Sequence, residues 1–248
     1  MSRVPKPASP GIPGDRPPGT AQSGAAPAGP GSIESLYPFI FEGVVDPAQV
    51  VAQACQSTVA KTREIIDLRA EVAVRGSDLL ASSALAMAAR FAAGGRLLAF
   101  GNGGSATDAA DLVTLFLNPP AGAPSLPAMS LASDVSVLTA LANDIGVEVV
   151  FARQVTAFGQ AADIAVGLST SGNSENLLLA LDEAHHLGML TIGISGYNGG
   201  KMAELPALDY LFIAPSESIH RIQEVQTTIY HILWELVVAE MTRSPATT

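Results

Sequence analysis

The chain has 248 residues with 13 Lys and Arg against 23 Asp and Glu, a formal net charge of -10, so it offers no basic groove for nucleic acid and repels anionic membranes. One cysteine, Cys55, excludes an internal disulfide and a multi-cysteine metal site, and the length suits one large domain with a tail. No long uncharged apolar run with membrane flanks and no hydrophobic signal core are present, which points to a soluble cytoplasmic protein.

Residues 1–32 are rich in Pro, Gly and Ala and carry only Arg3, Lys6, Asp15 and Arg16 as charges, so they are expected to form a disordered tail before a folded domain at 33–248. Asp46 before Pro47 marks a helix start. Val51, Cys55, Val59, Ile66 and Leu68 then recur at roughly helical intervals over 48–74. A second helix is predicted over 78–93, stopped by Gly94-Gly95, with Ala81, Ala84, Ala88 and Ala92 permitting close helix contact. Two long helices before any strand suit a subunit interface as readily as a core.

The first strand is predicted at 96–100, followed by the loop GNGGS at 101–105 and a helix to 116, with Ser105 as the expected N-cap. Next come a strand at 128–131, a helix from Ser133-Asp134 to Leu141, and a helix over 148–158. A strand at 164–168 feeds the loop STSGNS at 169–174, which opens a helix at 176–187. Strands at 190–195 and 210–214 flank the turn Tyr197 to Gly200, and Ser216 or Ser218 caps a long terminal helix to about 241.

Short apolar strands alternating with helices describe an α/β sandwich of three layers around an open parallel sheet. Ligands in such sheets bind beyond the carboxyl ends of the strands, where both Ser/Gly loops lie. Hydroxyls and backbone N–H groups at a helix N-terminus attract an anion. No Lys or Arg is near in sequence to grip a polyanion, so a single phosphate on a small molecule is expected. The alternative is a serine-rich turn with an ordinary N-cap. The loops match neither GxGxxG nor a Walker motif, which argues against dinucleotides and nucleoside triphosphates.

GNGGS at 101–105, STSGNS at 169–174, SGYNGGKMAEL at 195–205 and HRIQE at 220–224 together resemble the sugar isomerase (SIS) domain, and within it the bacterial phosphoheptose isomerases. The resemblance implies a flavodoxin-like, doubly wound sheet with added N-terminal helices, a homotetramer with pockets at subunit boundaries, and a sugar phosphate as ligand. It implies that Ser105, Ser169, Thr170, Ser171 and Ser174 bind the phosphate. Asn102, Gly103 and Asn173 are placed beside the sugar, and Asp134, itself a cap residue, borders the same pocket.

Aldose-ketose isomerisation needs a base to move a proton between C1 and C2, and an acid or a metal to polarise the carbonyl. The resemblance implies a histidine and a glutamate four residues apart after GNGGS, plus a glutamine and a histidine on the terminal helix. Here the first pair falls on Asp111 and Leu115, and the second is intact as Gln223 and His231. Asp111, Gln223 and His231 would be three ligands for a zinc whose fourth position is Leu115. His220, Gln223, Glu224, Thr227 and His231 recur at three- and four-residue steps on the terminal helix, which makes His220, Glu224 and His231 the candidate acid-base groups beside Gln223. Two other readings stand beside an isomerase: a sugar-phosphate-binding regulator that has lost the chemistry, similar to the SIS protein that associates with the bacterial replication initiator, and a structural oligomer.

Overall fold

The computed structural model describes residues 47–243, so the expected tail at 1–32 lies outside the described residues. Helices α1 (Pro47–Arg75) and α2 (Ser77–Ala92) lead into β1 (Leu97–Gly101), α3 (Gly104–Leu117), β2 (Ala128–Ser130) and α4 (Val135–Asp144). After a 3₁₀ turn at Val147–Val149 come α5 (Ala152–Phe158), β3 (Ile164–Leu168), α6 (Glu175–His186) and β4 (Leu190–Gly196). A second 3₁₀ turn, Gly200–Glu204, precedes β5 (Tyr210–Ala214) and the terminal helix α7 (Ile219–Thr242).

The five strands are all parallel in the order β2-β1-β3-β4-β5. Each strand is apolar because helices cover both faces, and its side chains alternate between two cores. Leu97 and Ala99 enter one core with α2, α3, α7 and the Ile65, Leu68 and Val72 stripe of α1. Leu98 and Phe100 enter the other, beneath α5 and α6. Ala84 and Ala88 of α2 are buried, and the small side chains let α2 lie close against α7.

The chain leaves β1 for the edge strand β2, then crosses back to β3 on the other side of β1. That reversal is the topological switch point, and the crevice it opens lies between the ends of β1 and β3. Gly101 and Leu168, the last residues of those strands, are register partners. The loops that follow therefore start side by side.

One expectation is corrected. The predicted helix at 148–158 is a 3₁₀ turn followed by the shorter α5; the tighter turn lets Val150 and Phe151, adjacent in sequence, both enter the core. The helix expected over 48–74 is α1, on which Leu68 is buried while Cys55, Val59 and Ile66 are exposed, since Ile66 and Leu68 stand two residues apart and cannot share a helix face.

At the opposite end of the sheet Asp163, buried to 3% side-chain exposure, accepts hydrogen bonds from the Arg96 N–H at 2.9 Å and the Gln160 N–H at 3.0 Å and pairs with Arg96 Nε at 3.3 Å. Removing its carboxylate orphans these donors. Asp163→Ala is expected to lower the free energy of unfolding by about 3 kcal/mol, read by urea denaturation.

Candidate functional site

Ser174 occupies the N-cap position of α6 with an extended backbone, yet its side chain makes no capping bond. Its hydroxyl instead lies 3.5 Å from that of Ser169, which accepts the Gly172 N–H at 3.0 Å. Inside the loop the Asn173 N–H is taken by Ser171 Oγ at 3.2 Å. Among the described residues no protein acceptor meets the N–H of Ser171, Ser174, Glu175 or Asn176. These donors sit at the positive end of a 12-residue helix, so the loop is open to an anion, unlike a turn closed by an ordinary cap.

The loop is backed tightly from the next strand. Gly172 holds φ +66, and a Cβ there would stand 1.9 Å from the Gly199 carbonyl oxygen. Asn173 Oδ1 accepts the Lys201 N–H at 3.0 Å. Lys201 Nζ reaches Glu175 Oε2 at 3.7 Å, both side chains well exposed. A cation is therefore near the seat in space although none is near in sequence, and Glu175 already neutralises it.

Across the switch point Asn102 Nδ2 donates to Asn176 Oδ1 at 2.9 Å and Asn176 Nδ2 donates to Asn102 Oδ1 at 3.0 Å. This reciprocal pair ties the loop after β1 to the first turn of α6. Beside it a cleft of about 320 Å³ is walled by Asn102, Gly103, Leu138, Val150, Phe151 and Asn176 among others. Asp134 caps α4 by accepting the Val137 N–H at 3.1 Å and borders a different groove, with Ser130 and Ser133. The structure does not bring it to the Asn102 cleft. Ser105 is buried in the first turn of α3, whose N-cap is Gly103 and not Ser105, because the Ser105 N–H already turns back to the Asn102 carbonyl at 3.0 Å.

Helix α7 closes the site from the other side of the sheet. Gln226, fully buried, donates to the carbonyls of Ser169 at 3.0 Å and Ile194 at 3.1 Å, holding the ends of β3 and β4. The Gln223 amide lies so close to α3 that a Cβ on Gly104 would stand 2.2 Å from its Nε2. His231 Nδ1 is 2.8 Å from the Thr227 carbonyl; a carbonyl only accepts, so Nδ1 carries the hydrogen. The ring stacks on Tyr230 at 5.0 Å between centroids, leaving Nε2 without that constraint. Burial pushes the Tyr230 phenol up, Thr227 opposes the rise, and Asp108 and Asp111 add to it, which places both carboxylates on the α3 side of this seam.

The other candidates from the sequence land less centrally. His220 is exposed in the first turn of α7, and Glu224 is held in an ion pair with Arg221. Asp111 is exposed, and Leu115 packs against the apolar core. Among the described residues no group of three or more His, Cys, Asp or Glu could hold a metal ion. Asp111, Gln223 and His231 would offer one carboxylate, one amide and one imidazole, while Leu115 at the fourth position packs against the apolar core and offers no donor.

A parallel sheet with a hydroxyl loop and free helix N–H groups at its switch point defines an α/β protein built to hold a small anionic ligand. The SIS domain model matches residues 62–196. A phosphoheptose isomerase of Aquifex aeolicus is 44% identical over 185 residues, 71% of this chain and 94% of that one. Among solved structures, phosphoheptose isomerase of Neisseria gonorrhoeae superposes with a TM-score of 0.70 at 34% identity, covering 75% of this chain and 99% of that one. A phosphoheptose isomerase of Francisella tularensis gives 0.64 at 32% identity, with 78% and 98% covered. The chain belongs to the SIS domain family.

Asn176 and Gln226 belong to no motif legible in the sequence, yet both bind the site together. Asn176 follows the Ser174 cap by two residues, the position at which a side chain can reach back over a helix N-terminus, and that spacing was the available signal. Gly172→Ala is expected to displace the loop from Gly199: backbone hydrogen exchange at 169–176 should rise at least tenfold while the far-UV spectrum is unchanged.

Proposed function

We propose that the protein is a phosphosugar isomerase of the phosphoheptose type, interconverting sedoheptulose 7-phosphate and a manno-heptose 7-phosphate. The observation that carries the reading is the set of unengaged N–H groups at the start of α6, in a chain whose 44%-identical relative bears the name phosphoheptose isomerase. In this reading Thr170, Ser171, Ser174 and the N–H groups of 174–176 receive the phosphate, with Ser105 closing it from α3. Ser169 organises the loop through Gly172 and Ser174. Asn102 and Asn173 meet the sugar hydroxyls, and His231 and Gln223 face the reacting end from α7.

The site works in a soluble cytoplasmic homotetramer on this proposal. Val59, Ile66 and Val74 are 49%, 58% and 79% exposed on α1 and would be covered by a neighbouring subunit. Light scattering should then give four times the chain mass.

Purified protein is expected to convert sedoheptulose 7-phosphate, followed by the appearance of the aldose. Ser171→Ala with Ser174→Ala should abolish stabilisation by the sugar phosphate in a thermal melt. His231→Ala should keep that stabilisation and lose at least 100-fold in kcat. Binding without turnover of any ketose phosphate contradicts the isomerase reading and leaves a sugar-phosphate sensor; no binding at all contradicts both.

A further inference from the structure

The group that takes the C1 proton has no obvious owner in this chain, because the position where the family resemblance implies a glutamate is Leu115, packed into the core. Asp108 lies on the same face of α3, seven residues before Leu115 and three before Asp111, and one turn after Gly104, against which Gln223 is pressed. It thus stands between the phosphate loops and the family's base position. Its Oδ2 is enclosed by protein and has no hydrogen-bond partner, while the residue as a whole keeps part of its surface. A carboxylate oxygen deprived of both water and donors is poorly stabilised as an anion, which makes the group a better proton acceptor than an exposed aspartate.

Burial, with the Asp111 carboxylate adding to it, pushes the Asp108 carboxyl up to about 6. The charged and titratable groups around it are few. Asp111 lies on its own helix and Tyr230 faces it from α7. The strands packed on α3, namely β1, β2 and β3, carry no titratable side chain.

We propose that Asp108 is the base of the isomerisation in this chain, standing in from two turns nearer the phosphate loops for the glutamate missing at position 115; this rests on the isomerase reading above. The C1–H bond breaks with its proton going to the Asp108 carboxylate, and its electron pair forms the C1=C2 double bond. The C2 carbonyl oxygen takes a proton from the His231 imidazolium, giving an enediol. In the second half His231 removes the proton of the C1 hydroxyl, the C1 carbonyl forms, and Asp108 returns its proton to C2. Protons and electrons balance with no oxidant or co-reactant.

The test compares wild type, Asp108→Asn and Asp108→Glu, each checked for native circular dichroism and for stabilisation by sedoheptulose 7-phosphate. Asp108→Asn is expected to bind the sugar phosphate, lose about 1000-fold in kcat and stop exchanging the C1 proton with D₂O. Asp108→Glu should recover part of the rate. Only the carboxylate accepts a proton, so wild-type kcat/KM should fall as pH drops through about 6. Asp108→Asn within threefold of wild type with C1 exchange intact, or a wild-type profile flat from pH 5 to 7, overturns the assignment and leaves the isomerase reading standing. Wild type that binds but turns over no ketose phosphate overturns both. Should Asp108→Asn not fold, the wild-type acid limb and the rate of Asp108→Glu decide: a partial rate with the limb displaced supports the assignment, and an unchanged limb overturns it.

Discussion

Two side-chain amides bonded to each other in both directions, Asn102 with Asn176, hold the functional end of this molecule together. Only a pair of amides can donate and accept at once in this geometry; an aspartate at either place would lose the donor, and a leucine both partners. The pair bridges the gap that a parallel sheet leaves where its strand order reverses. It fixes the first turn of α6 against the loop after β1, so the free N–H groups of one and the side chains of the other keep a constant separation. Gln226 does the equivalent work from below, bonding the carbonyl of Ser169 just after β3 and that of Ile194 within β4.

The charge of the chain explains why the seat is built from dipoles. With 23 acidic residues against 13 basic ones, a cluster of cations is not available at the crevice. Lys201, which approaches the crevice, is matched by Glu175 in an exposed pair and contributes little net field. Helix N–H groups and hydroxyls suffice for one phosphate monoester and are a poor match for a polyphosphate, which needs more charge than they carry. A small sugar phosphate suits this balance, as the family suggests.

Much of the fold was legible in the sequence. Strands at 164–168 and 210–214 match residue for residue because each is a short apolar run bounded by turn formers. The stretch 148–158 departs from a single helix because two adjacent core residues, Val150 and Phe151, obey neither helical nor strand spacing, and only packing decides between them. In the site, hydroxyl loops announce themselves by composition, whereas Asn176, Gln226, Lys201 and Asp108 meet partners 26 or more residues away in the chain. Such contacts leave no local pattern. Position 115 gave the opposite lesson: its departure from the family was plain in the sequence, but only the packing around α3 shows that Asp108, on the same face, has an enclosed oxygen without a partner.

The decisive property of the protein is where an anion settles on it. Backbone amide shifts followed by NMR during titration with sedoheptulose 7-phosphate test this most directly. The N–H signals of Ser171, Ser174, Glu175 and Asn176 should move together and saturate at one concentration, with Asn102 side-chain signals following. Saturating shifts elsewhere, with these four unmoved, would contradict it.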